Sequence, residues 1–344
     1  MSGTTRLLAL DTLRGVAALM VVLFHYTTRY DELFGHSKPP LATLPWGYLG
    51  VNLFFMISGF VIFMTLERAV RPMDFIVSRF SRLYPAYWGA VALTFVTVAV
   101  LGLPGKQVAL LPALLNLTML QDFLNVAPVD GVYWTLAVEL LFYAWALLAF
   151  RLKLLTLAPQ LLLLLFALRL SYFGAATLLH VDLPWLVYRL LILAYIPWFG
   201  AGIMIYRISR GSATPRADIA LIALAIALLA VVDGWPLALL LLGFSLLLYG
   251  AAGGVLNFLD QPSLVGLGTI SYTLYLVHEN IGWALIRRME QGGIPPNLAI
   301  FGALLCSGML ATALTLLVER PAMRRIRLAY RRRQAKNLAL HLET

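Results

Sequence analysis

The sequence predicts an all-α, polytopic membrane helix bundle of about ten transmembrane helices with both termini in the cytoplasm. Composition is the first reason. Of 344 residues, 61% are hydrophobic and 12% charged, against roughly 45–50% and about 25% in a soluble domain. Charged groups this scarce do not cover a water-facing surface, so lipid is the solvent for most of the exterior. The second reason is the length of the apolar runs. A backbone amide left unpaired in hydrocarbon costs several kcal/mol, so only helices and closed barrels span, and the short alternation of barrel strands is missing here. The third reason is charge placement, since lysines and arginines border the apolar runs.

Apolar windows of about 19–22 residues fall at Leu7–Tyr26, Trp46–Leu66, Tyr84–Leu103, Val132–Phe150, Leu155–Phe173, Trp185–Tyr206, Asp218–Val232, Pro236–Val255, Val265–Ile286 and Leu298–Val318. The seventh is short, and Asp233-Gly234-Trp235-Pro236 is a turn signal that fits a tight hairpin. With the N-terminus inside, eighteen lysines and arginines fall on the cytoplasmic side. Arg29, Lys38, Lys106, Arg287 and Arg288 fall outside, and Arg14, Arg169 and Arg189 within spans. That asymmetry obeys the positive-inside rule; only the Arg287-Arg288 pair breaks it. The formal charge of +10 is therefore explained by topology, and no nucleic-acid partner is expected.

The first window carries Asp11 and Arg14 and is too long for a signal-peptide core, so it reads as a retained span. A single cysteine, Cys306, sits in an apolar run, which gives neither a disulfide framework nor a cysteine metal site; no metal is expected. The organisation expected is a transmembrane domain over 1–318 and a basic cytoplasmic tail over 319–344. Seven arginines and lysines between Arg324 and Lys336 suit attraction to anionic membrane lipid, at about 1 kcal/mol each. The external loop Pro104–Gly131, with Gln121, Asp122, Asn125 and Asp130, is expected to contribute to an acceptor site.

An ionisable side chain in mid-bilayer costs roughly 2.5 kcal/mol or more and is a functional candidate by default. Five stand out: Asp11, Arg14, His25, Glu139 and His278. Asp11 and Arg14 share a helix face and can neutralise each other. Eleven residues separate Arg14 from His25, which places both on one stripe about 16 Å apart along the axis, with Gly15, Ala18 and Val22 between. Glu139 lies about 10 Å into the fourth, inward-running helix, a depth at which its carboxylate can orient the His25 imidazole and stabilise its protonated form. On the second helix Asn52, Ser58 and Gly59 allow close approach of a ligand or of another helix. On the ninth, Ser271, Tyr275 and His278 share a face, with a structural histidine as the rival reading. Arg79 and Arg82, three apart before the third span, suit bidentate phosphate binding from the cytoplasm as well as serving topology.

Five segments, in order, resemble the membrane-bound acyltransferase-3 family of bacterial carbohydrate O-acyltransferases. They are Leu10-Asp11-Thr12-Leu13-Arg14-Gly15 followed by His25; Asn52 to Phe60; Arg79-Phe80-Ser81-Arg82-Leu83-Tyr84-Pro85; Tyr133-Trp134-Thr135-Leu136-Ala137-Val138-Glu139; and Ser271-Tyr272-Thr273-Leu274-Tyr275-Leu276-Val277-His278. Asn52 stands where such proteins often have aspartate. The resemblance implies transfer of an acyl group, acetyl above all, from cytoplasmic acyl-CoA to a hydroxyl of an extracytoplasmic carbohydrate or glycolipid, in the bacterial inner membrane. His25 and Glu139 are then catalytic, Arg14, Arg79 and Arg82 donor-binding, and Asp11, Asn52, Ser58, Tyr133, Trp134, Ser271, Tyr275 and His278 supporting. Some relatives carry an extra extracytoplasmic domain, which leaves room for a separate partner protein. The rival reading of the same ionisable set is a proton relay in a small-molecule transporter. No inverted repeat or pair of broken helices supports that alternative.

Overall fold

The computed structural model describes residues 8–342, the side chains of 337–342 apart. Leu7, with which the sequence reading begins the first span, and Arg6, which it counts on the cytoplasmic side, lie outside the described residues. The described residues form helices joined by loops, with no strand among them: α1 (Leu8–Phe24), a π-helical turn over His25–Arg29, α2 (Tyr30–Phe34), α3 (Gly50–Glu67), α4 (Pro72–Leu101), α5 (Leu110–Asn116), α6 (Trp134–Arg151), α7 (Ala158–Leu178), α8 (Trp185–Leu190), α9 (Ile196–Ser209), α10 (Pro215–Val232), α11 (Trp235–Ala252), α12 (Pro262–Val277), α13 (Glu279–Gln291), α14 (Pro296–Leu314), a second π-helical turn over Thr315–Glu319, and α15 (Arg320–Leu342).

Eight helical segments among the described residues are long and apolar enough to cross a membrane. All ten expected windows map onto helices, but the sixth and ninth resolve into shorter pieces. The sixth becomes α8 and α9, separated by a turn in which Ile192 takes φ 47°, with Pro197 in the first turn of α9, where its missing N–H leaves no helical bond unmade. The ninth is divided at His278 into α12 and α13. The short seventh window is a full helix, α10, and Gly234 at φ 96° turns the chain into α11, a conformation glycine adopts at little cost. The third helix begins earlier than its apolar run, at Pro72, so Arg79 and Arg82 lie on α4 and not in a loop.

The chain divides into two compact units. The first comprises the chain through Ala17, Leu49–Ala69 and Val138–Thr269. Its centre is the crossing of α3 and α9. A Cβ on Gly59 would run into the Phe199 carbonyl oxygen, and one on Gly202 into that of Met56, so two glycines bring the backbones together and their van der Waals contact holds the crossing. Phe142 stacks on Phe199, centroids 4.1 Å apart. Gly15 of α1 likewise lies against the backbone of Gly268 in α12. Arg169, 1% exposed, is ion-paired with Asp233 at 2.5 Å through one terminal nitrogen, while its other two guanidinium nitrogens are buried and bond nothing among the described residues.

The second unit comprises Ala18–Tyr48, Val70–Ala137 and Ile270–Thr344. Its core gathers Tyr26, Tyr87, Tyr133 and Trp283, all buried. Phenol and indole groups of this kind need partners in hydrocarbon, and they find backbone carbonyls: Tyr26 donates to His278 (2.9 Å), Tyr87 to Asn116 (2.7 Å), Tyr133 to Leu276 (3.2 Å) and Trp283 to His25 (2.8 Å). From Pro296 to Lys336 the chain is one continuous helical run of 41 residues. At about 1.5 Å per residue it is roughly twice the thickness of the hydrocarbon layer, so much of α15 projects beyond it.

Candidate active site

In the second unit, α1 gives way to a π-helical turn at His25. Such wide turns recur at functional positions, because they move a side chain off the regular helical register. The His25 carbonyl accepts from the N–H of Tyr30 and from the Trp283 indole, which pins the backbone from which the imidazole projects. His25 Nδ1 lies 2.8 Å from the Val21 carbonyl oxygen. A carbonyl only accepts, so Nδ1 carries the proton and Nε2 keeps its lone pair.

His278 makes a second such contact. Its Nδ1 is 2.8 Å from the Tyr275 carbonyl oxygen, so its Nε2 is an acceptor too, and that Nε2 lies 3.3 Å from His25 Nδ1. One N–H of His25 is thus shared between Val21 and His278, with both rings in the same tautomer. His278 is wholly buried at the break between α12 and α13. Tyr275 supports the break: its hydroxyl bonds Thr135 at 2.9 Å and donates to the Val132 carbonyl at 3.2 Å. Ser271, on the same face of α12, is fully buried, and Trp134 remains partly exposed at the start of α6.

A pair of carboxyl groups braces this break. Glu279, 5% exposed, accepts from the Val132 N–H at 2.7 Å, and Asp130, fully buried, accepts from the Asn280 N–H at 3.1 Å and from Val132 at 3.3 Å. Gly131 between them is required by space, since a Cβ there would fall 2.6 Å from the Glu279 carboxylate. Burial, with the Glu279 carboxylate beside it, holds the Asp130 carboxyl well above the usual carboxylate range.

At the other end of α4 stands a cluster of guanidinium groups. Arg82 is ion-paired with Glu319, the last residue of the second π-helical turn, and lies 5.7 Å over the Tyr272 ring. Arg79 donates to Ser78 Oγ at 3.1 Å, while its Nε is buried and bonds nothing among the described residues. Arg327 of α15 donates to Ser81 Oγ at 3.1 Å and to the Ser78 carbonyl at 3.3 Å. Tyr330 and Gln334 grip Asp74 at 2.8 and 3.1 Å and so fix α15 along α4.

The remaining expected site residues belong to the first unit. Glu139 is on α6, where Ser58 donates to its carboxylate at 2.9 Å and Tyr143 at 2.5 Å. Ser58 therefore has a defined partner, and its neighbour Gly59 serves the α3–α9 crossing. Asn52, Asp11 and Arg14 are half-buried on α3 and α1.

The model of a family described as an acyltransferase domain, acyltransferase-3, matches residues 7–318. The chain belongs to the acyltransferase-3 family. It is 29% identical over 306 residues to the exopolysaccharide production protein ExoZ of Rhizobium meliloti, which covers 81% of this chain and 90% of that protein. It is also 40% identical over 107 residues to protein 2 in the picA locus of Rhizobium radiobacter. That match covers 29% of this chain, and the chain spans about half, 51%, of the picA-locus protein's length. No solved structure matches.

Within this acyltransferase-3 chain, four participants escaped the sequence reading: Asp130 as a buried group, Glu279, Glu319 and Arg327. Glu279 had a signal, since it is a carboxylate inside the ninth apolar window next to a histidine already singled out. Glu319 had a weaker one, closing the last apolar window. Arg327 is hidden among the basic residues of the tail.

Proposed function

We propose that this acyltransferase-3 protein is a transmembrane O-acyltransferase of the bacterial inner membrane. It moves an acyl group, acetyl above all, from cytoplasmic acyl-CoA to a hydroxyl of an extracytoplasmic polysaccharide or glycoconjugate. The observation that carries the reading is the His25 imidazole, whose Nδ1–H is committed to Val21 and His278 while Nε2 makes no bond among the described residues. A histidine so held is a general base with its basic nitrogen available.

In the reaction, Nε2 takes the proton of the acceptor hydroxyl as that oxygen bonds to the acyl carbon. The carbon–sulfur bond breaks, and the CoA thiolate leaves with the proton returned from His25. Direct attack of Nε2 on the thioester, followed by transfer from an acyl-histidine, uses the same nitrogen and the same tautomer. The half-used guanidinium of Arg79, with Arg82 and Arg327, supplies the charge and donors for the CoA phosphates.

The test is acetyl-CoA binding and CoA release by the purified protein in nanodiscs. Wild type binds and slowly releases CoA, His25→Ala binds without turnover, and Arg79→Gln binds more weakly. A folded wild-type protein that neither binds nor consumes any acyl-CoA removes the donor assignment.

A further inference from the structure

Arg287 and Arg288 are the two basic residues that the positive-inside bias leaves unexplained, and the second unit shows where they go. Both lie in the last turns of α13, beside the turn that follows α4. Arg288 Nε donates to the Leu101 carbonyl at 2.7 Å and so satisfies an orphan carbonyl at the α4 C-terminus. Its other N–H groups and the whole Arg287 head make no ion pair with any described residue. Glu290, the nearest acid in sequence, is already committed to His36 Nδ1 at 2.6 Å and the Ser37 N–H at 2.9 Å. Arg29 is paired with Glu32. Two uncompensated guanidinium groups therefore stand side by side.

They line a cavity of about 330 Å³ together with Gln107 and Gln291. Gln107 also lines a second cavity of about 210 Å³, together with Lys106, Phe95 and Val129. Lys106 Nζ lies 5.1 Å over the Trp283 ring, and the Trp283 indole donates to the His25 carbonyl. Gln107 lines both cavities, and these residues all belong to the same unit as His25. Among them are three cations, two amides and an aromatic face. Guanidinium groups grip carboxylates bidentately, amides suit hydroxyls, and together the two cavities have the size of a small-ligand site.

We propose that these two cavities, which share Gln107 in their linings, hold the acceptor, and that the acceptor is an acidic saccharide whose carboxylate or other anionic substituent is held by Arg287 and Arg288 while its neutral ring runs past Gln107 and Lys106 toward His25. This rests on the reading of His25 as the transfer site and of this face as external. It adds the acceptor's charge class.

The test uses the full-length protein in phosphatidylcholine nanodiscs, with oligogalacturonate and its carboxyl-reduced, neutral counterpart as probes. Wild type binds the acidic oligosaccharide and not the reduced one, more weakly as salt rises. Arg287→Gln, which spares the helix cap, weakens binding several-fold, and Arg287→Gln with Arg288→Gln by about ten-fold, the scale expected for two partly exposed ion pairs. Neither variant changes acetyl-CoA binding or basal CoA release. Equal binding of both probes, no binding of either, or full binding by the folded single and double variants overturns the acidic-acceptor assignment while leaving acyl-CoA turnover intact. Loss of acyl-CoA turnover in wild type would instead sink the transfer reading itself. Phosphatidylglycerol in the nanodiscs separates saccharide from lipid phosphate. If it displaces the oligosaccharide from wild type and binds the double variant less, the cavity is a lipid site and the proposal fails.

Discussion

His278 Nε2 faces His25 Nδ1 at 3.3 Å, and each ring's Nδ1 is held by a carbonyl of its own helix, Tyr275 and Val21. Two buried imidazoles in contact cannot both be cationic without strong repulsion, so His278 acts on His25 as a neutral acceptor. The expected result of His278→Phe is a fall in kcat of about ten- to a hundred-fold, as when a histidine in a metal site loses the group that orients it. Acyl-CoA binding stays unchanged. His278→Gln, which offers an acceptor of similar reach, recovers part of the rate. A merely structural histidine would lower both variants together through their folded fraction, so kcat per folded molecule decides.

Arg82 and Glu319 predict a difference between two arginines that look alike in sequence. The Glu319 side chain is 1% exposed, and removing Arg82 leaves that carboxylate buried without its guanidinium, which costs about 3–5 kcal/mol. Arg82→Ala is therefore expected to lower the melting temperature in detergent sharply and to reduce yield. Arg79→Gln weakens acyl-CoA binding and leaves melting nearly unchanged. Equal melting of the two variants would remove the structural role given to the Arg82–Glu319 pair.

The carboxyl pair at the α12–α13 break makes stability depend on pH. Asp130 is held well above its unfolded value of 3.8 by burial and by Glu279. The folded protein therefore keeps a proton that the unfolded chain releases as pH climbs past that value, so this site's contribution to stability falls with rising pH until the raised folded value is passed. Asp130→Asn cannot titrate and keeps an acceptor for the Asn280 N–H. Its thermal stability is expected to be flatter than wild type across that window, and a profile parallel to wild type would refute the raised value.

Much of the fold was legible because the lipid constraint is written in composition: all ten apolar windows became helices, and the hairpin turn at Gly234 followed from its residues. What escaped the sequence was where windows break. The ninth window reads as one hydrophobic span, yet it breaks at His278, after which Glu279 accepts from the Val132 N–H and Asn280 donates to Asp130 and to the Val129 carbonyl of a distant loop. Partner choice escaped for the same reason. Within the second unit the partners of the His25 ring are a carbonyl of its own helix and a histidine 253 positions away, a pairing that depth along a helix does not give. Helical period places a residue on a face; it does not say which remote segment covers that face.

The α3–α9 crossing depends on two missing side chains. A Cβ at Gly202 or Gly59 would strike a backbone carbonyl, which cannot rotate away as a side chain can. Gly202→Ala is expected to destabilise by about 1–3 kcal/mol, the range for overpacking a closely packed interior. It would appear as a lower melting temperature with the His25 and Arg79 sites unaltered in sequence. Gly243, on α11, has open space where its Cβ would stand, and Gly243→Ala is the matched control, expected to melt like wild type or slightly above because alanine favours helix.

Arg327 separates two roles for the basic tail. The sequence reading gave α15 an attraction to anionic lipid, a role in which individual arginines are interchangeable. In the structure Arg327 is fixed by Ser81 Oγ and the Ser78 carbonyl, next to Arg79 on α4, while Tyr330 and Gln334 hold Asp74. It stands with Arg79 and Arg82 at the proposed phosphate site. Arg327→Gln is expected to raise the Kd for acyl-CoA about ten-fold, or roughly 1.4 kcal/mol, with the same loss for free CoA, because the phosphates are common to both. Arg332→Gln, on the exposed surface of the same helix, is expected to leave that Kd unchanged. Equal losses from the two substitutions, or losses that vanish when anionic lipid is left out of the nanodiscs, would return Arg327 to general lipid attraction.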